Sequence, residues 1–371
     1  MAEPVLWPLE DHTRAKHRVL RSYLNGWIPV MGHQSLKAYD SDRTLLLVDG
    51  FAGPGRYLEG AAGSPLIMLD ALLSHAAFPN LTGVRFLLLF IEQNRDRVAR
   101  LRTEVANLRL PDNVKVFIKE GRFEEEFGEV VDGIRAGGKR LPPTFAFIDP
   151  FGYSSASMSI TGRLLDFPRS EALFFLPLSF ISRFVGRDGQ EAALNSLFES
   201  DEWRSAIPLR GLERRQYLLD LFERQLQAQG QVRHVRSFEL HTADGNDYRL
   251  VFATQHEKGL GVMKEAMWSV DPVQGTRYSA RTETGQEVLF TLEVDTAPLL
   301  EELRCALGSQ WFTMAQAEEV TLLRTPYLPH RHLKSRTLAP AERAGALEVS
   351  RPEGKRKGTF TDDVRMLFRE Q

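Results

Sequence analysis

Runs of apolar residues recur along the first half of the chain, separated by stretches with helical periodicity. The predicted strands cover residues 44–49, 85–92, 114–120, 144–150 and 172–177. Short, largely apolar runs of this kind are typical of parallel strands that are buried on both faces. Helical patterns such as residues 94–108 lie between them. This alternation predicts an α/β fold with a parallel sheet.

An amphipathic helix is predicted before the first strand, over residues 12–30. Its apolar positions recur at helical spacing, as at Val19, Tyr23 and Trp27. Proline lacks the backbone N–H that a helix interior uses, so Pro29 is expected to end this helix.

Residues 235–254 depart from the parallel pattern. Two strand-like runs flank Asp244, Gly245 and Asn246, which predicts a hairpin with a tight turn. A parallel sheet closed by an antiparallel hairpin resembles the class I methyltransferases, whereas a nicotinamide-binding Rossmann domain would continue with a sixth parallel strand. Residues 183–232 are rich in Arg, Glu, Leu and Gln and predict a helical insertion between the fifth strand and the hairpin.

The pattern changes after residue 295. Two helix-like stretches are followed by a third that runs into a strand, and then by the basic, glycine-containing segment 351–360. This order suggests a winged-helix domain over residues 296–371, after a methyltransferase-like domain over residues 1–295. The predicted phosphate contacts lie on the third helix and the wing, at Arg331, Lys334, Arg336, Lys355, Arg356 and Lys357.

The composition limits the classes of protein and of site. The chain has 371 residues and a formal net charge of −2, so any surface for nucleic acid must be local. Cys305 is the only cysteine, which excludes an internal disulfide framework and a Cys-rich zinc site and suits a reducing cytoplasm. His12, His330 and His332 lack a carboxylate or thiol at matching spacing, so no metal site is predicted. The N-terminus lacks the apolar region of a signal peptide, and no apolar run approaches the ~20 residues that span a bilayer.

The residues Asp-Gly-Phe-Ala-Gly-Pro-Gly, 49–55, follow the first strand directly. Glycine has no Cβ, so it lets a ligand approach the backbone. The spacing resembles motif I of the amino-methyltransferases that act on nucleic acids, which implies a turn around the methionyl part of S-adenosylmethionine (SAM). The alternative is a plain strand-to-helix turn. The predicted cofactor-binding residues of this turn are Asp49, Gly50, Phe51, Ala52, Gly53 and Gly55.

Glu92 ends the second strand. An acid at that place accepts hydrogen bonds from ribose hydroxyls in dinucleotide-binding folds, so Glu92 is predicted to hold the ribose of the cofactor. The alternative is an acid that stabilises the start of the next helix at Asn94. Glu120 and Arg122, after the third strand, are candidates for contact with the adenine.

The fourth predicted strand ends in Asp149, Pro150, Phe151, Gly152 and Tyr153. In open α/β sheets, catalytic groups lie at this end of the strands. An exocyclic amine is a poor nucleophile because its lone pair is delocalised into the base. A carboxylate and a backbone carbonyl that accept its two N–H bonds draw this lone pair out, and an aromatic ring stacks on the base. The motif resembles the Asp/Asn-Pro-Pro-Tyr/Phe motif of amino-methyltransferases and, more closely, the Asp-Pro-Phe-Gly form of tRNA guanine-N2 dimethyltransferases. The alternative is an Asp-Pro turn with Phe151 in the core.

As a set, the motifs resemble the three-Cys-motif partner proteins (TcmP), over nearly the whole chain. The matching segments are residues 12–17, 49–57, 90–94, 147–153, 258–268 and 358–360. The resemblance implies a bacterial or phage-like source and a partner, an iron–sulfur protein of the radical-SAM type with a three-cysteine motif. It also gives His12 and Lys16 an accessory role at the site, although the pattern alone favours a solvated helix. Phe51 stands at the first glycine of the usual motif, as in the amino-methyltransferase subgroup.

Two functions of different classes are consistent with these motifs. The first is a SAM-dependent N-methyltransferase that acts on an exocyclic amine of a DNA or RNA base. The second is a catalytically inactive, methyltransferase-like scaffold that binds nucleic acid for its three-cysteine partner. An oxidoreductase that uses a nicotinamide cofactor has little support, because no G-x-G-x-x-G motif follows the first strand.

Overall fold

An eight-stranded sheet is the central element of the chain. The computed structural model describes residues 5–39, 43–150, 152–153, 157–242, 245–279 and 294–369. The strands of the sheet are β1 (Thr44–Asp49), β2 (Arg85–Glu92), β3 (Val114–Glu120), β4 (Thr144–Ile148), β5 (Ser170–Leu176), β6 (His234–His241), β7 (Asp247–Thr254) and β8 (Arg277–Ser279).

The strand order is β3-β2-β1-β4-β5-β7-β6-β8. The first five strands pair in parallel, whereas β7 is antiparallel to both β5 and β6. The predicted parallel sheet with an antiparallel hairpin is therefore confirmed, although Asp244 of its turn lies outside the described residues. The winding reverses between β1 and β4, and open α/β sheets bind ligands at such a point, beyond the carboxyl ends of the strands.

Helices cover both faces of the sheet. They are α1 (Asp11–Ser35), α2 (Ser64–Leu73), α3 (Arg95–Ala106), α4 (Phe123–Ala136), α5 (Met158–Leu165), α6 (Leu178–Phe184), α7 (Glu191–Phe198), α8 (Gly211–Gly230) and α9 (Glu257–Val270). Successive side chains of β1 point to opposite faces, so Leu45 and Leu47 join one apolar cluster with α1, α2 and α9. Leu46 and Val48 join the other with α4, α5 and α8. The predicted insertion is helical, since α7 and α8 lie in it.

Two details differ from the sequence-based expectation. β3 is an edge strand, and its Phe117 is 50% exposed, so it is not buried on both faces. The first helix continues through Pro29 to Ser35. Proline leaves the carbonyl of the residue four positions earlier without its helical donor. His75 Nε2 lies 2.9 Å from that carbonyl, Asn25 O, and replaces the missing N–H.

Gly259 on α9 lies at a position where a larger residue would collide with the core. A Cβ there would lie 1.9 Å from Glu171 Oε1, a buried carboxylate that accepts hydrogen bonds from Tyr23 Oη and Thr254 Oγ1. We therefore expect Gly259→Ala to lower the free energy of unfolding by about 2–3 kcal/mol, as overpacking does.

Chemical denaturation of Gly259→Ala beside Gly261→Ala checks this expectation. Gly261 lies on the same helix, and a Cβ there meets only Leu322 Cδ1 at 3.8 Å. Gly261→Ala should raise stability by up to about 1 kcal/mol through helix propensity. Equal effects of the two substitutions would contradict the packing account.

A smaller, three-stranded antiparallel sheet lies in the C-terminal part, in the order β10-β11-β9. Its elements are α10 (Ala297–Leu307), β9 (Phe312–Thr313), α11 (Met314–Arg324), a π-helical segment (Pro329–Leu338), α12 (Ala339–Arg343), β10 (Leu347–Ser350) and β11 (Arg365–Phe368). The predicted basic segment 351–360 connects β10 to β11. A separate apolar cluster, which includes Leu303, Phe312 and Met366, holds these elements together.

Two basic side chains, one on α9 and one on β6, donate hydrogen bonds to the C-terminal end of α11. Lys264 Nζ on α9 donates to the carbonyls of Thr321 and Leu322, each at 3.0 Å. Arg236 on β6 donates to the carbonyl of Leu323 at 3.2 Å. Free carbonyls and the negative end of the helix dipole favour such donors. Burial, with the nearby Arg236 charge, lowers the pKa of Lys264 to about 6.

Candidate functional site

A cavity of about 320 Å³ opens at the carboxyl ends of β1 and β4, where the winding of the sheet reverses. Its walls come from the start of α1, the glycine turn after β1, the loop after β4, α6 and the start of β7. This volume lies at the lower end of the range for small-molecule sites. Among the described residues, no group of three or more His, Cys, Asp or Glu side chains is placed to hold a metal ion.

Two glycines of the turn have a backbone conformation that would be strained in any other residue type. Gly53 and Gly55 have φ angles of +62° and +86°. A Cβ at Gly55 would also lie 3.0 Å from Leu101 Cδ1. Together with Phe51 and Ala52, these glycines line the cavity, so the structure brings four of the predicted cofactor-binding residues to one wall. Because residues 53 and 55 have no side chains, the turn leaves room for a ligand beside its backbone.

Glu92 is 4% exposed and lies directly behind this turn. Its Oε2 accepts the N–H of Gly53 at 2.9 Å, and its Oε1 accepts the N–H of Asn94 at 2.8 Å. Glu92 therefore fixes the turn and also stabilises the approach to α3. Each carboxylate oxygen has two lone pairs, so one acceptor position on each remains for a ribose hydroxyl.

A second cavity, of about 20 Å³, lies on the other side of Phe51. Gly50, Glu92 and Arg122 are among the residues that line it, so the structure places the predicted ribose acceptor and one of the predicted adenine contacts at one cavity. Arg122 is exposed and lies 3.8 Å from the Glu124 carboxylate. The cavity is therefore open to solvent beside Arg122. Glu120 is exposed and does not line this cavity.

Asp49 lies under the turn and is fully buried. Burial raises the pKa of this carboxyl group to about 7, and the charges of Asp149 and Glu92 act in the same direction. The Phe51 N–H, which donates to Oδ1 at 3.1 Å, and the Ser64 hydroxyl oppose this increase. Ser64 also lines the cavity, and no sequence motif marks it as a functional residue.

This raised pKa predicts how stability depends on pH. Asp49 has a pKa of about 7 in the folded chain against 3.8 in the reference state, so folding favours its protonated form. Its stabilising contribution is complete below about pH 4 and is lost as the pH rises to about 7. Asp49→Asn keeps the acceptor for Phe51 and removes this titration. The stability of the parent relative to Asp49→Asn should fall by about 4 kcal/mol between pH 4 and 7, at about 1.4 kcal/mol per unit. Urea denaturation at both pH values measures this difference, and a constant difference would contradict the assignment.

Asp149 and Pro150 lie on the wall that faces the glycine turn. Lys16 Nζ donates to Asp149 Oδ2 at 2.5 Å, and the two side chains are 5% and 19% exposed. Lys16 Nζ also lies 4.2 Å from the centre of the Phe175 ring. The first helix thus supplies a cation that holds one oxygen of Asp149 and leaves Oδ1 as the acceptor for a ligand.

His12 and two aromatic rings stack on one another along the same wall. The His12 and Tyr248 ring centres are 4.5 Å apart, and those of Tyr248 and Phe175 are 5.1 Å apart. Glu10 Oε2 lies 3.1 Å from His12 Nδ1. The structure therefore places both predicted accessory residues, His12 and Lys16, at the cavity. Sequence spacing alone does not indicate this arrangement, since Lys16 and Asp149 are 133 residues apart.

The structure describes only one of the two aromatic residues that were predicted to stack on a base. Phe151 lies outside the described residues. Tyr153 is 3% exposed, packs against Phe180 and Phe184, and donates its hydroxyl hydrogen to Gln190 Oε1. Its ring fills the core between the loop and α6, so the structure does not bring it to the cavity. Phe180, which sequence reasoning missed, lines the cavity and is 38% exposed.

The basic residues predicted to contact phosphate lie in the C-terminal part, and several already pair with carboxylates. Arg331 Nη2 lies 2.6 Å from Glu265 Oε2, and Lys355 Nζ lies 2.5 Å from Asp363 Oδ1. Lys334 lies 3.6 Å from Glu318. The side chains of Arg336, Arg356 and Lys357 are exposed.

Comparison with known proteins finds solved structures at low identity and low TM-score. The chain matches no protein-family model and no curated protein by sequence. Among the described residues, no helix has the length and apolarity that would let it cross a membrane. Solved structures similar to the chain include Trm1 from Pyrococcus horikoshii with SAM, at 10% identity and a TM-score of 0.39, over 98% of this chain and 92% of that one.

Two further solved structures are similar over a smaller part of the chain. One is the O-methyltransferase from Bacillus cereus with S-adenosylhomocysteine (SAH), at 14% identity and a TM-score of 0.33, over 63% of this chain and 80% of that one. The other is a SAM-dependent methyltransferase from Methanosarcina mazei, at 12% identity and a TM-score of 0.26, over 57% of this chain and 92% of that one. At these values the geometry of the site, and not the likeness, is the basis for assigning a function.

Proposed function

We propose that the protein is a SAM-dependent N-methyltransferase that acts on an exocyclic amine of a nucleic-acid base. One observation carries this proposal: the glycine turn after β1 and the Asp149-Pro150 pair after β4 face each other across one cavity. A cofactor site and a site for the reacting amine are thereby adjacent, which a transfer between two bound molecules requires.

The residues of the site fit the cofactor. Gly53 and Gly55 leave their backbone open to the methionyl part, and Glu92 keeps acceptor positions for the ribose. The adenine end would enter the small cavity beside Arg122, after a movement of the exposed Arg122 and Glu124 side chains. When bound, SAM supplies an electrophilic methyl group on a sulfonium centre.

The chain's own groups orient the target amine. Asp149 Oδ1 and the carbonyl of Pro150 accept its two N–H bonds, which returns lone-pair density to the nitrogen. Lys16 fixes the Asp149 carboxylate through Oδ2, so the free oxygen has one orientation. The stacked rings of His12, Tyr248 and Phe175 provide an apolar wall that keeps water from the amine.

Transfer of a labelled methyl group from SAM tests this proposal. The parent chain is incubated with pools of DNA and of RNA, and the methylated base is identified by mass spectrometry after digestion. We expect an N-methylated base in one pool. If the labelled methyl group were found on an oxygen or carbon atom and not on an amine, the proposed role of Asp149 and Pro150 in orienting an amine would be wrong.

A second candidate is supported by a separate observation. Lys16 binds one oxygen of Asp149, and a backbone N–H group binds each oxygen of Glu92, so both carboxylates already have partners within the chain. This would suit an inactive member of the TcmP family that binds nucleic acid for a radical-SAM-type three-Cys partner. Such a scaffold would bind nucleic acid without binding SAM, and it would show no methyl transfer.

We further propose that residues 296–371 form a winged-helix domain after a methyltransferase-like domain over residues 1–295. The order of helices and strands supports this division, as does an apolar cluster in which all members but Trp268 of α9 and Val294 follow residue 296. Arg336, Arg356 and Lys357 would contact phosphates. Replacing all three by Glu should weaken oligonucleotide binding and lower its dependence on salt, whereas unchanged binding would exclude this surface from the nucleic-acid site.

A further inference from the structure

The mouth of the cavity carries an exposed aromatic ring beside a cationic side chain, both on α6. Phe180 is 38% exposed and lines the cavity. Its ring centre lies 4.6 Å from that of Phe184 and 6.0 Å from that of Tyr153. These two neighbours support one side of the ring, while its exposed part faces the solvent and the cavity.

Arg183 places positive charge next to this ring, and Arg187 places a second charge next to its neighbour Phe184. The Arg183 guanidinium lies 5.8 Å from the Phe180 ring centre, and its Nη2 lies 3.4 Å from Asn246 Oδ1. Its Nε donates to the carbonyl of Ser179, one turn earlier on the helix. The Arg187 guanidinium lies 5.0 Å from the Phe184 ring centre. Both arginines are exposed, so their remaining donors reach the solvent.

We propose that Phe180 and Arg183 form a binding site for one unpaired nucleotide at the entrance of the cavity, the base on Phe180 and its phosphate on Arg183. This inference rests on the proposed function and names its substrate as single-stranded or locally unpaired nucleic acid. An aromatic ring binds any base through its π-face, and a guanidinium binds phosphate oxygens in a planar geometry. A base that is paired within a duplex exposes only its edge, so it could not stack on a ring at the mouth of the cavity.

The packing of Phe180 also indicates a role for the buried Tyr153. Its buried ring packs against Phe180 of α6, and its hydroxyl group donates to Gln190 at the start of α7, so Tyr153 holds the loop after β4 against both helices. Tyr153 is thus a positioning residue for Phe180, and the stacking surface belongs to the helix. The signal for this role was present in the sequence, because Phe180, Arg183, Phe184 and Arg187 alternate aromatic and basic residues just after the fifth strand.

Fluorescence anisotropy with a labelled 12-nucleotide RNA and its DNA counterpart tests the inference, each as a single strand and as a duplex. The proteins are the parent, Phe180→Ala, Phe180→Trp, Arg183→Gln and Phe117→Ala. Phe117 is a matched control, since it is 50% exposed on the edge strand β3 and does not line the cavity. SAM binding is measured separately by calorimetry on every variant.

We expect the parent to bind single strands at least tenfold more tightly than duplexes. Phe180→Ala should weaken single-strand binding about tenfold, the loss that accompanies removal of one base–aromatic stack, whereas Phe180→Trp should stay within about threefold of the parent. Arg183→Gln should reduce the dependence of the binding constant on salt concentration, by the amount that loss of about one phosphate contact produces. Phe117→Ala should bind as the parent does.

Equal effects of Phe180→Ala and Phe117→Ala would overturn the inference, as would preference for the duplex. Absence of binding to any oligonucleotide would overturn it as well and would favour a small molecule or a peptide as the substrate. If the parent binds SAM while Phe180→Ala leaves oligonucleotide binding unchanged, the inference fails and the proposed function stands. If the parent does not bind SAM, the proposed function fails, and the anisotropy result still decides the Phe180 site by itself.

Discussion

Replacing Asp149 by alanine is expected to lower the rate of methyl transfer about 10³-fold, within the range for removal of one preorganised hydrogen-bonding group from an active site. The substitution removes the oxygen that accepts the N–H of the target amine, and it leaves the glycine turn unchanged. Binding of SAM should therefore stay within a few-fold of the parent. Single-turnover kinetics with a nucleic-acid substrate and calorimetry with SAM measure the two quantities.

Two further variants separate chemistry from folding at this position. Asp149→Ala also leaves the buried Lys16 without its carboxylate, and loss of one member of a buried ion pair is destabilising. Asp149→Asn keeps an acceptor oxygen and should retain more activity than the alanine variant. Lys16→Met leaves the carboxylate in place and should lower the rate by less than about 30-fold. If Lys16→Met were as inactive as Asp149→Ala, the ion pair and not the acceptor would carry the effect.

Replacing Gly53 by arginine is expected to weaken binding of SAH by more than 100-fold. Gly53 has a φ of +62°, where other residues are strained, and the new side chain would occupy the 320 Å³ cavity. A ligand that binds only the folded chain raises its melting temperature. At a concentration of 100 times its Kd, SAH should stabilise the parent by about 2.7 kcal/mol and leave Gly53→Arg without a shift.

Gly60→Arg is the control for this experiment. Gly60 lies in the same loop and has a φ of +82°, but a Cβ there meets nothing within 4 Å. This variant carries a similar backbone strain outside the cavity, so SAH should raise its melting temperature as it does for the parent. Loss of the shift in both variants would indicate that strain in the loop, and not the filled cavity, abolishes binding.

Much of the sheet could be predicted from the sequence because its central strands, such as β1, β4 and β5, are buried on both faces. Continuous apolar runs such as 44–49 and 144–148 leave little choice of structure, and the Gly245-Asn246 turn marks the hairpin. The glycine turn and the Asp149-Pro150 pair were predictable as well, since both come directly after strands that end at one edge of the sheet. The structure brings them to the same cavity.

Other parts of the site depend on tertiary contacts that no local pattern reveals. The helix runs through Pro29 because His75, 50 residues from Asn25, supplies a donor for the Asn25 carbonyl. Lys16 reaches Asp149 only because α1 packs across the sheet, and a single basic residue on an amphipathic helix is most often solvated. The burial of Tyr153 depends on Phe180 and Phe184 of the next helix.

Calorimetric titration of the parent chain with SAM and with SAH tests the central claim most directly. The claim is that the turn after β1 and the cavity beside Asp149 bind this cofactor, and the measurement needs no knowledge of the methyl acceptor. We predict binding of both ligands with micromolar Kd values and one site per chain. Absence of binding at millimolar ligand would contradict the claim, and the glycines of the turn would then serve the course of the backbone alone.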